Sequence, residues 1–171
     1  MNGWATVLGA PRAIVYGIPS AAGGWLDDQR DTTPPNAGNG FFSGGFVESS
    51  IMTQTIDVSA NTAAIDTGAV GFTLSGWLGG FAAQNDHASL DIEFHDANGG
   101  ILSDASIGGP CGVSSAVCAS DRGSETGLRM RDISGTVPAQ ARTIFVVLTL
   151  DRSTGSSNDG YADNLSLVLS Q

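Results

Sequence analysis

Two short segments of the chain place an asparagine and an aspartate side by side, directly before a predicted strand. Asn85-Asp86 precedes one strand and Asn158-Asp159 precedes another. Carboxylate and amide oxygens are the ligands that Ca2+ takes in proteins, and the ion needs about six to eight of them. The pattern therefore predicts a calcium site between two neighbouring loops, with Asp163 as a further ligand. The same side chains also cap turns by accepting backbone N–H bonds, so two Asx turns without an ion are the alternative interpretation.

Asp163 lies in a predicted strand, residues 161–169, in which leucines occupy every second position from Leu165 to Leu169. Side chains alternate along a strand, so Asp163 and Tyr161 are expected on the same inward side as those leucines. A buried carboxylate is costly unless it has partners. We therefore expect a cation, an arginine or several backbone N–H groups beside Asp163.

A long segment rich in glycine and proline, residues 19–46, carries aromatic side chains outside any strand signal. Loops of this length are usually functional or disordered, and the aromatic residues argue against disorder. An exposed aromatic ring can stack on the apolar face of a sugar while carboxylates and amides bind its hydroxyls. In the alternative interpretation, the tryptophan of this segment packs beneath its own loop. The predicted ligand-binding residues are Trp25, Asp27, Asp28, Asn39 and Phe41.

One strand, residues 87–95, alternates more clearly than any other, with apolar side chains at every second position. Its outward row contains His87, Asp91, Glu93 and His95. Asp91 and Glu93 are about 7 Å apart on such a face, near the separation of glycosidase carboxylates. An open, hydrated sheet face is not expected to desolvate an acid and raise its pKa, however, so we interpret the row as a polar surface. The chain also has no Gly-x-Ser-x-Gly or His-Glu-x-x-His motif and no phosphate-binding glycine loop.

The chain has only two cysteines, Cys111 and Cys118, and the residues between them include glycine and serine. The short separation favours a local disulfide, with two free thiols in a surface loop as the alternative. A disulfide indicates an oxidising compartment, so we expect an extracellular or cell-surface protein. No secretion signal or membrane span is visible, which leaves a mature or excised segment as the expected form of an exported chain.

The composition excludes some partners. The formal net charge is -10, from 17 acidic and 7 basic residues, none of them lysine. A strongly acidic chain disfavours nucleic acid and anionic membrane surfaces. Neutral polymers and divalent cations remain compatible with this charge.

The pattern of short alternating segments predicts an all-β fold. Two strands at 143–150 and 161–169 are expected to pair as an antiparallel hairpin, and Asn98-Gly99 predicts a second hairpin after the strand at 87–95. With 24 glycines and almost no helical periodicity, the chain is expected to form one antiparallel β-sandwich of about eight or nine strands. A single domain is expected over residues 1–171.

Three short motifs carry a resemblance to a known fold family. They are Gly3-Trp4, residues 134–139 (Ser-Gly-Thr-Val-Pro-Ala) and residues 161–167 (Tyr-Ala-Asp-Asn-Leu-Ser-Leu). Together they make the chain resemble the galactose-binding-domain-like jelly rolls, which include many carbohydrate-binding modules of secreted bacterial proteins. The resemblance implies a β-sandwich that binds a carbohydrate, with a structural calcium ion whose ligands include an acidic residue placed like Asp163.

The preferred hypothesis is a non-catalytic extracellular module that binds carbohydrate and has a structural calcium ion. The alternative is an assembly subunit of a surface layer, filament or virion, in which the glycine- and phenylalanine-rich segment contacts neighbouring protein subunits and oligomers are possible. An enzyme that uses Asp91 and Glu93 is the third hypothesis.

Overall fold

The computed structural model describes residues 3–18 and 34–171, which form a sandwich of two antiparallel sheets with five strands each. The first sheet has the order β1-β4-β9-β6-β7 and the second has the order β2-β3-β10-β5-β8. The ten strands are β1 Ala5–Leu8, β2 Arg12–Val15, β3 Gly40–Gly45, β4 Ser49–Asp57, β5 Gly71–Gly80, β6 His87–His95, β7 Ile101–Gly108, β8 Gly127–Thr136, β9 Thr143–Asp151 and β10 Asn158–Ser170. The predicted fold class is confirmed, with ten strands where eight or nine were expected.

The main core lies between the two sheets and is built from alternate residues of the central strands. In β6 the inward side chains from Ala88 to Phe94 are buried, and the outward side chains are partly exposed. β9 follows the same alternation, with Ile144 and Leu148 fully buried. Burial of one face of each strand is the main stabilising contribution of such a sandwich. The predicted alternation of β6 is therefore confirmed.

The hairpin between β6 and β7 is also confirmed. Asp96 Oδ1 accepts hydrogen bonds from the backbone N–H groups of Asn98 and Gly100, both at 2.8 Å. Gly99 has a φ of +83°, a conformation that glycine adopts without a steric penalty. The aspartate and the glycine thus fix the turn and the register of the two strands.

The predicted pairing of the last two strands is wrong. β9 lies between β4 and β6 in the first sheet, whereas β10 lies between β3 and β5 in the second. The connecting residues, 152–157, cross from one sheet to the other. Each of the two strands has one apolar face. This pattern is expected both for two strands paired in one sheet and for two strands that face each other across the core, so it could not distinguish the two arrangements.

The predicted inward position of Asp163 is wrong as well, because β10 contains a β-bulge. Asp163 lies opposite Trp77 in β5, but Ser166 lies opposite Ser75, so an extra residue is inserted between them. Asn164 occupies the bulge with a φ of +45°. An inserted residue reverses the side to which the following side chains point. The leucines after the bulge face the main core, while Asp163 and Tyr161 before it face outward.

Two smaller elements fit their local sequences. A short helix, α1 Thr62–Ile65, ends before Gly68, which has a φ of +72°. Cys111 and Cys118 form a disulfide with an S–S distance of 2.10 Å. Part of the predicted irregular segment at 19–46 is nevertheless ordered as β3. No helix in the described part of the chain is long and apolar enough to cross a membrane.

Candidate functional site

The outer face of the first sheet presents a row of side chains that crosses four strands. The strand register places Thr55 of β4 opposite Phe145 of β9, Phe145 opposite Glu93 of β6, and Glu93 opposite Asp104 of β7. All four point away from the core, because their chain neighbours are the inward residues. The row therefore combines one aromatic ring with a hydroxyl group and two carboxylates.

A depression of about 510 Å3 lies beside this row, where the strands meet the β6–β7 turn. Its lining includes Asp57, His95, Asp96, Arg142, Thr143 and Phe145. The ring of His95 contacts Phe145 edge-on, with ring centroids 6.4 Å apart and planes at 67°. His95 Nε2 is 2.9 Å from Glu93 Oε2, which fixes the imidazole next to the phenyl ring. The depression thus has a rigid aromatic wall and a polar rim.

Some of the charged groups around the depression already have partners within the protein. Arg142 donates to both carboxylate oxygens of Asp66, at 3.0 and 2.8 Å, and this pairing lowers the pKa of Asp66. The hydroxyl and the backbone N–H of Ser59 lower the pKa of Asp57, and backbone N–H groups lower the pKa of Asp96. These carboxylates are therefore ionised at neutral pH, and the rim is rich in hydrogen-bond acceptors.

Asp91 lies further along the outer face on β6, and its environment differs from the expectation of a fully hydrated row. Burial raises its pKa, as do the nearby charges of Asp104 and Glu93, although a hydrogen bond from Ser89 acts in the opposite direction. Ser89 Oγ donates to Asp91 Oδ2 at 3.0 Å. The carboxylates of this face therefore repel one another, and the face is electrostatically negative.

The outer face of the second sheet carries a separate aromatic cluster. Phe41 and Tyr161 are buried in it, and Tyr16 and Trp77 pack against it. The ring of Phe41 is 5.0 Å from that of Tyr16 and 4.9 Å from that of Tyr161. Phe41 is only 2% exposed, so its ring supports this face and is not open to a ligand.

Of the other residues predicted to bind a ligand, only Asn39 lies in the described part of the chain. Asn39 is exposed just before β3, and its carbonyl accepts the backbone N–H of Tyr16 at 3.1 Å. Trp25, Asp27 and Asp28 lie outside the described residues. Their role in binding stays a prediction.

Asp163 also faces this second outer surface. It is 8% exposed and accepts a hydrogen bond of 2.7 Å from the hydroxyl of Tyr16. Burial and the contact with Asp163 raise the pKa of Tyr16 well above its ordinary value. The partner found in the structure is thus a phenol, where a cation, an arginine or backbone N–H groups were expected.

The two Asn-Asp corners do lie together, but protein donors bind them. Asp86 is fully buried and its Oδ1 accepts the backbone N–H groups of Ser153 and Thr154, while its Oδ2 accepts the N–H of Asp159. Asp159 Oδ1 in turn accepts the hydroxyl of Tyr161 at 3.0 Å. Burial raises the pKa of Asp159. Asp86 therefore fixes the loop between β9 and β10.

The two asparagines of these corners are also engaged. Asn158 is fully buried, and its Nδ2 donates to the carbonyls of Glu48 and Leu150. Asn85 Oδ1 accepts the backbone N–H of Ala119 at 3.0 Å. These bonds are typical of capping side chains.

The five predicted ligands do not fit a calcium ion at this corner. Asp163 is four residues along β10 from Asp159, roughly 13 Å away at the rise of a strand, so it is not part of the corner. Within residues 3–18 and 34–171, no group of three or more His, Cys, Asp and Glu side chains could hold a metal ion. Arg122, which sequence reasoning did not single out, places a buried positive charge there. Calcium binding by the chain stays a prediction.

Phe145 was also missed, although the sequence contains a signal for it. It occupies an outward position of β9, between the inward residues Ile144 and Val146. An aromatic residue at an outward, otherwise polar position of an alternating strand indicates a surface ring, which is a candidate for ligand binding.

No protein-family model matches the chain, and no curated protein does. Among solved structures, the enzymatically active domain of bacteriophage CBA120 tailspike protein 4 aligns with 99% of this chain at 16% identity and a TM-score of 0.54. This chain spans only 20% of the length of that tailspike chain. The carbohydrate-binding module TmCBM61, in complex with β-1,4-galactotriose, aligns with 98% of this chain and 88% of its own at 13% identity and a TM-score of 0.52. A family 16 carbohydrate-binding module aligns with 78% of this chain and 79% of its own, at 21% identity and a TM-score of 0.46.

These similarities concern the fold alone, because the sequence identities are low. The chain has a β-sandwich fold like that of the carbohydrate-binding module TmCBM61. The predicted resemblance is confirmed at this level.

Proposed function

We propose that the chain is a non-catalytic carbohydrate-binding module whose ligand lies on the outer face of the first sheet, against Phe145. The single observation that carries the proposal is the row formed by Thr55, Phe145, Glu93 and Asp104 beside an open depression. A sugar ring needs an apolar surface for one face and hydrogen-bond partners around its edge. The row supplies both on rigid strands.

The charge of this face favours an uncharged polysaccharide. Asp57, Asp91, Glu93 and Asp104 all lie on it, and Arg142, which lines the depression, is paired with Asp66. Like charges repel an anionic polymer, and this repulsion weakens only at high salt. Carboxylates also accept hydrogen bonds from sugar hydroxyls, so a neutral glycan fits the chemistry of the face.

Location outside the cell is part of the proposal. The disulfide between Cys111 and Cys118 supports it, because such bonds persist in oxidising compartments. An extracellular glycan or a cell-surface polysaccharide would then be the available ligand.

Affinity gel electrophoresis tests the proposal with a panel of neutral polysaccharides that includes β-1,4-galactan, together with an anionic polymer such as pectate. We expect at least one neutral polysaccharide to retard the wild-type chain and pectate to leave its mobility unchanged. Phe145→Ala should weaken retention about tenfold or more, which corresponds to about 1.4 kcal/mol. Val168→Ala is the matched control, because Val168 is an apolar side chain that is 54% exposed elsewhere on the surface.

Two outcomes would contradict the proposal. If no polysaccharide retards the wild-type chain, the chain does not bind these carbohydrates. If Phe145→Ala is retained as strongly as the wild-type chain, the binding site is not on the outer face of the first sheet. Release of reducing sugars from the retained polysaccharide would overturn the non-catalytic part alone.

One observation favours assembly with neighbouring subunits as the second candidate function. Phe46 is 70% exposed in the connection between β3 and β4, and the guanidinium of Arg12 lies 5.1 Å from its ring centroid. An exposed ring with an attached cation is a suitable contact for another protein. Sedimentation velocity over a range of concentrations separates the two functions, since only an assembly subunit would form oligomers that Phe46→Ser abolishes.

A further inference from the structure

Arg122 is the most deeply buried basic side chain among the described residues, with an exposure of 1%. It ends a short 3-10 turn, Ser120–Arg122, in the connection between β7 and β8. From there its side chain reaches the corner where the connection between β5 and β6 approaches β10. A charge in this position needs extensive compensation, because burial of an ion costs several kcal/mol.

The compensation comes from backbone carbonyls. Arg122 Nη1 donates to the carbonyls of Gly80 at 2.9 Å and Ala82 at 3.0 Å, and also to that of Glu125. Arg122 Nη2 donates to the carbonyl of Gln84 at 2.8 Å. Four carbonyl oxygens thus converge on one planar cation, from the end of β5, the connection between β5 and β6 and the connection between β7 and β8. These converging carbonyl oxygens resemble the oxygen ligands that surround a bound calcium ion.

The corner is closed around Gly80, where a side chain could not fit. A Cβ atom on Gly80 would lie 2.8 Å from the carbonyl oxygen of Asp86, 2.9 Å from that of Asp159 and 3.4 Å from Arg122 Nη2. The guanidinium therefore stands beside the carbonyls of both Asn-Asp corners. The Asp86 carboxylate completes the arrangement through its bonds to the loop between β9 and β10.

We propose that the guanidinium of Arg122 is the built-in structural cation of this corner, so that the fold does not depend on calcium there. The planar fork of arginine can serve several carbonyls at once, whereas the ammonium of lysine is a compact point charge with a different reach. The proposal is independent of the carbohydrate-binding activity.

Thermal melts of the full chain test this inference. We expect the wild-type chain to have the same melting temperature in excess EDTA and in excess calcium chloride. Arg122→Met should lower the melting temperature by roughly 10 °C, because it removes a buried charge with its hydrogen bonds. Arg122→Lys should also lower it, and calcium should restore neither variant.

The matched control is Arg152→Met, in which an arginine that bonds the exposed carbonyl of Ser156 loses its charge. It should change the melting temperature by about 1 °C or less. A lower melting temperature of the wild-type chain in EDTA overturns the proposal, as does an Arg122→Lys variant that is as stable as the control. If Arg122→Met does not fold, the wild-type melt in EDTA and the lysine variant still decide the question.

Discussion

The Tyr16 hydroxyl donates a hydrogen bond of 2.7 Å to Oδ2 of Asp163, joining two residues 147 positions apart in the chain. Tyr16 directly follows β2 at the edge of the second sheet, and Asp163 lies in the central strand β10. Asp163 faces Trp77 across the strand pair, on the outer side of the sheet. The bond therefore ties an edge strand to the centre of the sheet through an ionisable group that is nearly buried.

Tyr16→Phe should destabilise the fold, because the Asp163 carboxylate loses this donor while it stays largely buried. Loss of a hydrogen bond to a buried charged acceptor costs about 1 to 3 kcal/mol, which lowers the melting temperature by roughly 3 to 10 °C. A double-mutant cycle with Asp163→Asn, measured by urea unfolding, isolates the pair. The interpretation requires a coupling between the two sites, so additive effects would contradict it.

Asp91→Asn should stabilise the chain at neutral pH. The pKa of Asp91 in the folded state is raised by burial and by the charges of Asp104 and Glu93. The folded chain therefore binds the Asp91 proton more tightly than the unfolded chain does. The resulting contribution to folding stability is present below the unfolded pKa of Asp91 and is lost as the pH rises through its folded pKa. At pH 7 the ionised carboxylate is unfavourable, so the asparagine variant should melt at a higher temperature, and the gain should vanish below about pH 3.9.

Asp57→Asn on the same face is the matched control for Asp91→Asn, because its pKa is shifted in the opposite direction. The hydroxyl and backbone N–H of Ser59 lower the pKa of Asp57. The contribution of the Asp57 carboxylate to folding stability is present above its unfolded pKa and is lost as the pH falls through its folded pKa. Asp57→Asn should thus lose stability at pH 7 and match the wild-type chain in acid. If both variants shift the melting temperature in the same direction at pH 7, the opposite pKa shifts assigned to Asp91 and Asp57 are contradicted.

Local patterns predicted the elements of the fold but not how they are arranged. The alternation in β6 and the turn at Asp96 depend on neighbouring residues, so the sequence contained the information needed to predict them. The sheet to which β9 and β10 belong depends on which apolar faces meet across the core. The bulge at Asn164 required knowledge of the register with β5, because one inserted residue reverses the alternation.

The residues predicted or missed as site residues show the same division. Asp86 and Asp159 were correctly placed at neighbouring corners, yet their partners proved to be backbone N–H groups and the hydroxyl of Tyr161. Arg122 could not be found from sequence, because a single arginine in a loop carries no periodic signal. Phe145 could have been found, since it is aromatic in the polar phase of β9.

Asn164→Ala should destabilise the bulge of β10, and Asn164→Gly should be better tolerated. Asn164 has a φ of +45°, which is strained for alanine and accessible to glycine. Its Nδ2 also donates to the carbonyl of Pro35 at 3.1 Å, and both variants lose this exposed bond. The alanine variant should lose about 1 kcal/mol more than the glycine variant in urea unfolding. The reverse order of stability would show that the left-handed backbone conformation is not retained.

Reduction of the disulfide between Cys111 and Cys118 should lower the melting temperature without unfolding the sandwich. The bond closes a loop with a sequence separation of 7, for which the chain-entropy model gives about 2 to 3 kcal/mol, or roughly 5 to 10 °C for a chain of this length. The loop has other anchors, because Arg131 donates to the carbonyls of Ser115 and Ala116. Circular dichroism melts with and without a reducing agent measure the shift, and a Cys111→Ser/Cys118→Ser variant that no longer responds to the reducing agent is the control. If the reduced chain has the same melting temperature as the oxidised chain, the contacts of Arg131 hold the loop and the disulfide adds nothing to stability.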